Sequence, residues 1–597
     1  MTLNFKTTVL LDGKEIPIFK ELRLHQKIHA SHTLEVRIPL RVFKNEAYHD
    51  LLGKSLSIEI LTNNAQKKNL GRLEFNGVVV GVNVLNGSGV QGDELTITGS
   101  SKEILANDGP HYNCFHESKL DQIVKKTLEK YNFDIQVNPT FKEVIDYTVQ
   151  NHESAFNFVK RLAEKYGQWL YYNGKALVFG KPETNTTSLK YNHDLAEYEI
   201  SFTPTPQKFK YFTQSYLEKS GKHWEYTETQ KPDGVGGDNA KLYTKSDSLY
   251  KNETNVWVNA NNERKIQKII KAKAKLQQAG FAIQQVKVSG RSWNSGVALG
   301  NKVVIKDQEY RVVEVIHSLG GVDDYENNFE AVSANIEGYP HTNINAFTTS
   351  QSQIAVVQDN SDPDNLGRVK VTFAWQELIG EMSPWIRVLS AHAGENQGIQ
   401  FIPEIGDQVL VDFEGGDAES PYVVGSLYHK GHMPNDNWSS SENNTKVIRT
   451  RSGHTIELDD TKDSEKIKIY DNDGSIITFD TKERSLTLKA TETFRVEAGN
   501  IELISEGKID IQAKGNITQS AGGDLTILSK GEMNLQSDGD AGVLSKGNVA
   551  IEAINEATVK AINTVISGKA SAEVSSAQTK VSGSAVAEVS GAIVKIN

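Results

Sequence analysis

Two histidine clusters and one acidic cluster mark the places in this sequence where chemistry could be done. His25, His29 and His32 stand at spacings close to one helical turn, which is how a helix offers imidazoles to a metal ion. Their segment alternates like a strand, however, and position 26 is Gln rather than the glutamate of a helical zinc-hydrolase motif. A surface or barrel-wall role is expected for them. His111, Cys114 and His116 offer a soft-metal donor set on a loop before a helix capped by Ser118, with no fourth ligand nearby in sequence. Glu404, Asp407, Asp412, Glu414 and Asp417 could supply paired carboxylates for acid–base work. Alternation puts several of these on exposed strand and turn positions, so solvated or turn-forming roles are expected. Arg264, Lys265, Lys268, Lys271 and Lys275 form a basic stripe opposite Ile266, Ile269 and Ile270, read as a solvated face or, failing that, a dock for an acidic partner. No catalytic residue, cofactor or metal site is assigned.

The elements that carry these groups are bounded by composition. A chain of 597 residues suggests about four domains. The charge balance is 65 basic against 76 acidic residues, net −11, without the positive face that nucleic-acid binding requires. The single cysteine, Cys114, allows no intrachain disulfide. The first twenty residues are interrupted by Lys6, Asp12, Lys14 and Glu15 and do not read as a signal peptide, so assembly in the cytoplasm is expected. No run approaches the roughly 18 apolar residues of a membrane helix.

Residues 1–345 mix strands with a few helices. One helix is expected after Ser118 through Ile123, Val124, Leu128 and Tyr131. A second is expected from Ser154 through Phe156, Val159, Leu162 and Tyr166, stopping at Gly167. Leu52-Gly53-Lys54-Ser-Leu56-Ser-Ile58 is echoed by Leu299-Gly300-Asn301-Lys-Val303-Val-Ile305, and each is followed by strand, turn and strand. Two related barrels in one chain follow from that echo. Residues 346–435 hold about five short β-branched runs broken by Gly and Asp-Pro, a pattern for a small OB-like barrel. Residues 436–498 are read as a linker and the start of the next element.

From residue 499 glycine recurs every eight positions: Gly499, Gly507, Gly515, Gly523, Gly531, Gly539 and Gly547, with Asn555 and Asn563 continuing the frame. The units read Gly-x-Φ-x-Φ-x-(Ala/Ser)-x, where Φ is apolar, with Gln519 the departure in the unit of Gly515. Apolar residues at i and i+2 share one face of a strand, whereas a helix would rotate the pattern away. Glycine and asparagine enter positive φ most readily, so that position is expected to turn a corner. No proline follows Pro434 and no aromatic follows Phe494. Two aliphatics cannot offset the entropy of ordering eight residues in one chain, so other chains must share the ladder and the core. The expectation is an intertwined trimeric β-helix over 499–597, with a frame slip near Gly568 recovering at Gly583 and Gly591.

The neck run GRVKVTFAWQ … SPWIRVLSAHAGENQGIQFIPEIGDQVLVDFEGGDAESPYVVGSLYH resembles the VgrG spike family of type VI secretion systems, with Trp385, Arg387, Pro403, Gly406, Asp407, Val411, Phe413, Gly415 and Gly425 in pattern. Gln408 stands where a charged residue is usual. The run QNHESAFNFVKRLAEKYGQWLYYNGKALVFG resembles the hub of the same family, in the required order. The resemblance implies a mainly β chain: duplicated hub barrels with a few helices, an OB-fold neck and a C-terminal trimeric β-helix needle. It implies a non-enzymatic, membrane-puncturing homotrimer in contact with baseplate components. Its hub would seat on the hexameric Hcp tube, its needle would take a PAAR-type tip protein and effector cargo, and the secretion machine would export it. Strand edges at Ala592, Ile593, Val594, Lys595, Ile596 and Asn597 are the expected tip interface. The chain ends inside the repeat, so no fused effector domain is expected. Two alternatives stand: the spike of a contractile phage tail or extracellular injection particle, and a single-chain β-helix that binds or cleaves polysaccharide.

Overall fold

The computed structural model describes residues 3–43, 47–63, 70–87, 92–214, 216–217, 224–259, 266–321 and 324–596. The sequence echo in the hub becomes a repeated topology. The first unit comprises, in chain order, strands Asn4–Leu11, Glu21–Lys27, Thr33–Pro39, Ser55–Asn63, Gly71–Leu85 and Glu94–Ser101; the second comprises Thr186–Ser188, Leu195–Phe202, Val286–Ser292, Lys302–Ile305, Gln308–Leu319 and Tyr325–Ser333. In both, the first strand pairs with the fourth, and the order continues fourth, fifth, sixth, third, second. The units differ at the first–fourth pairing, antiparallel in one and parallel in the other. Gln308–Leu319 also pairs antiparallel with Glu21–Lys27, from Glu314↔Lys27 to Leu319↔Leu22, so the two units share one 13-stranded sheet. Alternation is plain in Thr33–Pro39, where Leu34, Val36 and Ile38 are buried between exposed Glu35 and Arg37.

Gly53 and Gly300, the glycines of the echo, both have φ +79°. Each amide donates to a valine carbonyl on the second strand after it, Val79 at 2.9 Å and Val312 at 3.0 Å. At each of these valines the pairing with the next strand slips by a bulge.

Between the two units lie the paired strands His111–Lys119 and Val144–Glu153, the helices Leu120–Leu128 and Ala155–Lys165, and a three-stranded sheet of Asp134–Asn138, Ala176–Gly180 and Trp169–Tyr172. The Ser118 cap expected from sequence is replaced by other chemistry. The strand runs on through Lys119, Ser118 donates to the His116 carbonyl, and the Gln122 side chain accepts the Lys119 amide at 3.0 Å. Ser154 does cap its helix, accepting from the Asn157 amide at 3.2 Å, and Gly167 follows at φ +59°.

The neck is a four-stranded sheet, Lys370–Phe373, Gln353–Asp359, Gln408–Phe413 and Pro421–Ser426 in that order. Bridges Val369↔Ile386 and Val388↔Val423 connect its two edge strands through one segment and close it around Val357, Val371, Phe373, Val409 and Val411. A five-stranded antiparallel meander follows, from Thr445–Arg449 to Ser485–Lys489. Register stacks Ile456 on Ile469, Leu458 on Ile467, Ile467 on Phe479 and Phe479 on Leu486, an apolar ladder that this single chain leaves largely uncovered.

Phe494–Asn597 form a separate unit. Its described residues form neither helix nor strand and carry no strand ladder within the chain. The chain bends at 506–507, 514–515, 522–523, 530–531, 538–539, 546–547, 554–555 and 562–563, an eight-residue period in the frame of the glycines, and the next bend comes early, at 569–570. Positive φ is not the cause. The octad glycines from Gly499 to Gly547 all lie outside the left-handed region, and nothing approaches within 3.9 Å of where a Cβ would stand. Glycine is sterically required only at the slips. At Gly568 a Cβ would meet the Ser571 carbonyl oxygen at 2.0 Å, and at Gly583 that of Val586 at 2.1 Å.

Candidate functional site

Where hub meets neck, one buried carboxylate organises the contact. The helix Ala155–Lys165 buries Phe158, Val159 and Leu162, and on the same side Arg161 and Lys165, one turn apart, are also buried. Both reach Glu419 of the neck. Arg161 Nη1 donates to Glu419 Oε1 at 3.1 Å, Lys165 Nζ donates to Oε2, and Thr148 Oγ1 donates to Oε1 at 2.6 Å. The other edge of the guanidinium binds Glu153 Oε1 at 2.6 Å and the Val149 carbonyl at 2.5 Å. Burial alone would raise the Glu419 pKa, but Lys165 and Arg161 hold it below the ordinary carboxylate range. Asp417, two residues away, is pushed up by desolvation and by Glu419; it accepts the Asn259 amide at 2.6 Å and the Glu419 backbone N–H at 2.9 Å. Asp417 is thus buried, not solvated, though it does shape a turn.

The other neck carboxylates hold structure together. Asp407 accepts the Glu404 amide at 2.9 Å, Glu404 binds Arg451 at 2.8 Å, Asp412 accepts Ser352 and Tyr422, and Glu414 accepts Arg387 at 3.1 Å. Each answers a separate structural donor. A buried pair sequence reasoning did not single out is Asp362 with Arg368, a two-pronged contact in the GRVKV turn that holds the Asp362 carboxyl well below its usual range.

The first histidine cluster diverges. His25 Nε2 lies 2.8 Å from Glu314, His29 sits between Glu164 and the Tyr339 hydroxyl, and His32 turns inward to Gln26, which also meets His317 at 3.2 Å. Burial pushes both His32 and His317 down to about 3. The second cluster splits as well. Its residues lie on the strand His111–Lys119, not on a loop. His111 faces Asp108 at 2.8 Å, while Cys114 Sγ and His116 Nε2 stand 3.8 Å apart on the opposite face, joined there by Glu381 of the neck. On the basic helix Ile266–Ile283, Lys268 binds Glu143 and Lys275 binds Asp233, while Ile266, Ile269 and Ile270 are buried. Arg264 and Lys265 lie outside the described residues.

In the octad unit the Ala/Ser position acquires a role that the sequence pattern alone did not reveal. Ser505 and Ser545 accept the amides of Gly507 and Gly547, and Ser505, Ser529, Ser537 and Ser545 each donate to the carbonyl three residues on. The hydroxyl clamps the corner. Of the terminal stretch, Ala592 and Ile593 form the last bend, Ile593, Val594 and Ile596 are exposed, and Asn597 lies outside the described residues.

Comparison with known proteins places hub and neck. Residues 31–320 match the phage tail baseplate hub (GPD) family, and residues 353–428 match the type VI secretion system/phage-baseplate injector OB domain. The type VI secretion system spike protein VgrG1b of Pseudomonas aeruginosa is 22% identical over 471 residues, 70% of this chain and 61% of that protein. Spike protein VgrG1a of the same organism is 29% identical over 179 residues, 27% of this chain and 28% of that one. Spike protein VgrG4b, also from that organism, is 46% identical over 72 residues, 12% of this chain and 9% of that one. The chain therefore matches less than two thirds of the length of each of these relatives. A chain in a solved PdpA–VgrG complex shares the fold at TM-score 0.53 and 9% identity, covering 82% of this chain and 98% of that one.

Proposed function

The chain is a VgrG-type spike protein, and we propose that three copies form the membrane-puncturing spike of a type VI secretion system. The observation that carries this reading is the apolar surface left uncovered after the neck. The meander leaves Ile456, Ile467 and Phe479 exposed, and the octad unit separately leaves its apolar positions exposed, two in most octads. A soluble monomer does not keep so long an apolar run in water. Three chains winding in parallel would cover it, pair the extended backbones and make a stiff β-helical shaft.

The hub supports the other end of the machine. Two units with the same strand order in each of three chains present six similar modules, which fit a six-fold ring such as the Hcp tube. Work is then mechanical rather than catalytic. Contraction drives the trimer forward, the Glu419 contact transmits thrust between neck and hub, and the shaft tip at Ala592–Asn597 offers strand edges to a PAAR-type protein or an effector. Assembly in the cytoplasm and export by the machine belong to the same proposal. Because the matched hub family is described from phage tails, the spike of a contractile phage tail is the second reading.

Light scattering on the purified chain tests the proposal. A mass three times the 66.0 kDa chain is expected. A monomer would sink the spike reading and favour a single-chain β-helix.

A further inference from the structure

Among the described residues, Cys114, His116 and Glu381 are the one set of metal-ligand side chains whose donor atoms converge, all within 4.8 Å of one another. They come from two parts of the fold. Cys114 and His116 are i and i+2 on the strand His111–Lys119 and so share a face, while Glu381 follows the short neck helix Ala374–Glu377. We propose that these three residues bind one divalent transition-metal ion, Zn²⁺ by donor set, as a cross-link between hub and neck, with water in the fourth position.

The geometry suits the ion. Zinc–sulfur and zinc–nitrogen bonds of about 2.3 and 2.0 Å at a tetrahedral angle separate the donors by roughly 3.5 Å. Cys114 Sγ and His116 Nε2 are 3.8 Å apart before any metal draws them in. The surrounding groups are those that orient ligands. Gln376 Nε2 donates to Cys114 Sγ at 3.4 Å, and its own carbonyl oxygen is fixed by the Phe373 amide at 3.2 Å, so the amide is aimed at the sulfur. Thiolate plus carboxylate balance the charge of a divalent ion, and the mixed S, N, O set favours Zn²⁺ over Mg²⁺ or Ca²⁺. Cys114 is buried, and His116 and Glu381 are part-exposed, which leaves an entry path. A redox or nucleophilic role suits the site less well, because burial pushes the free Cys114 thiol up to about 11 and leaves little thiolate. The inference stands on hub and neck alone and does not depend on the spike reading.

Cobalt titration of the full, chelator-stripped chain tests it, with Co²⁺ alone as the probe. One equivalent per chain is expected to bind with a near-ultraviolet thiolate-to-cobalt band, and Zn²⁺ is expected to displace it. Glu381→Gln, at a part-exposed loop position, should keep the band and weaken Co²⁺ binding at least tenfold; Cys114→Ser should abolish the band. Absence of the band in the parental chain overturns the proposal, as does a band that survives in Cys114→Ser or an affinity unmoved by Glu381→Gln. Should Cys114→Ser fail to fold, the parental band and the Glu381→Gln shift decide the matter.

Discussion

Arg161 of the hub helix donates to Glu419 of the neck at 3.1 Å, with both side chains out of water. Because Lys165 and Thr148 also converge on Glu419, removing one partner strands the others. Arg161→Ala or Glu419→Ala is expected to cost about 3–5 kcal/mol in chemical denaturation, the usual consequence of orphaning a buried charge. Replacing Arg161, Lys165 and Glu419 together with Met, Met and Leu should cost less than the single changes added. Additive losses would show that the three do not act as one unit.

Gly53 and Gly300 share a φ of +79° but not their surroundings. Nothing lies within 4 Å of a Cβ at Gly53, whereas at Gly300 the Tyr171 ring would stand 2.3 Å away. Alanine at Gly53 therefore pays only the backbone strain, about 1–2 kcal/mol. Alanine at Gly300 must also displace a buried tyrosine and is expected to cost at least about twice as much. Thermal unfolding of the two variants checks this; equal shifts would mean that Tyr171 moves freely.

These elements also show what was legible in the sequence. The Leu-Gly echo disclosed the duplication because a positive-φ turn before a bulged hairpin demands glycine in both copies. The octad disclosed its corners, although glycine is there for another reason than φ, and only coordinates reveal the serine clamp. The helix at Ser154 was readable from its cap and apolar stripe. Arg161 and Lys165 were not, since charged residues within such a stripe read as its polar border until a partner as distant in sequence as Glu419 is placed against them. Glu381 was invisible for the same reason: nothing local ties a neck loop to a hub strand. His111 was grouped with Cys114 by proximity along the chain, and the strand's alternation, once known, separates them.

His32 and His317 give the hub an acid sensitivity. Unfolded, each ring takes up a proton near 6.5; folded and desolvated, each resists until about 3, with the His25 and His317 charges adding to the penalty at His32. Between those values the unfolded chain binds more protons, so stability is lost as pH falls, by up to about 1.4 kcal/mol per pH unit for each ring. Glu103 opposes this above its ordinary value of 4.5, because burial raises it to about 7 and the folded state keeps its proton. The His317→Gln variant is accordingly expected to lose stability less steeply than the parental chain, by about 1.4 kcal/mol per pH unit from pH 6 to pH 4. Parallel curves from denaturation at each pH would remove His317 as a cause.

The octad faces make the sharpest prediction about assembly. In the units that begin at Gly531 and Gly547 the second apolar residue is the more exposed in the single chain: Leu535 at 91% against Met533 at 48%, and Ile551 at 85% against Val549 at 56%. If other chains cover these positions, each returns about 1.5–3 kcal/mol on burial, repeated in every chain. Leu535→Asp with Ile551→Asp then places charges in the shared core, whereas Asn534→Asp with Asn548→Asp places the same charges on alternate, outward positions. Limited trypsin digestion of the full chain reads the difference at Lys530 and Lys546 without requiring the hub to dissociate. The parental chain and the outward variant should resist cleavage, and the inward variant should be cut. Equal resistance in both variants would mean that the second aliphatic does not face a core, and cleavage of all three would mean that the shaft has none.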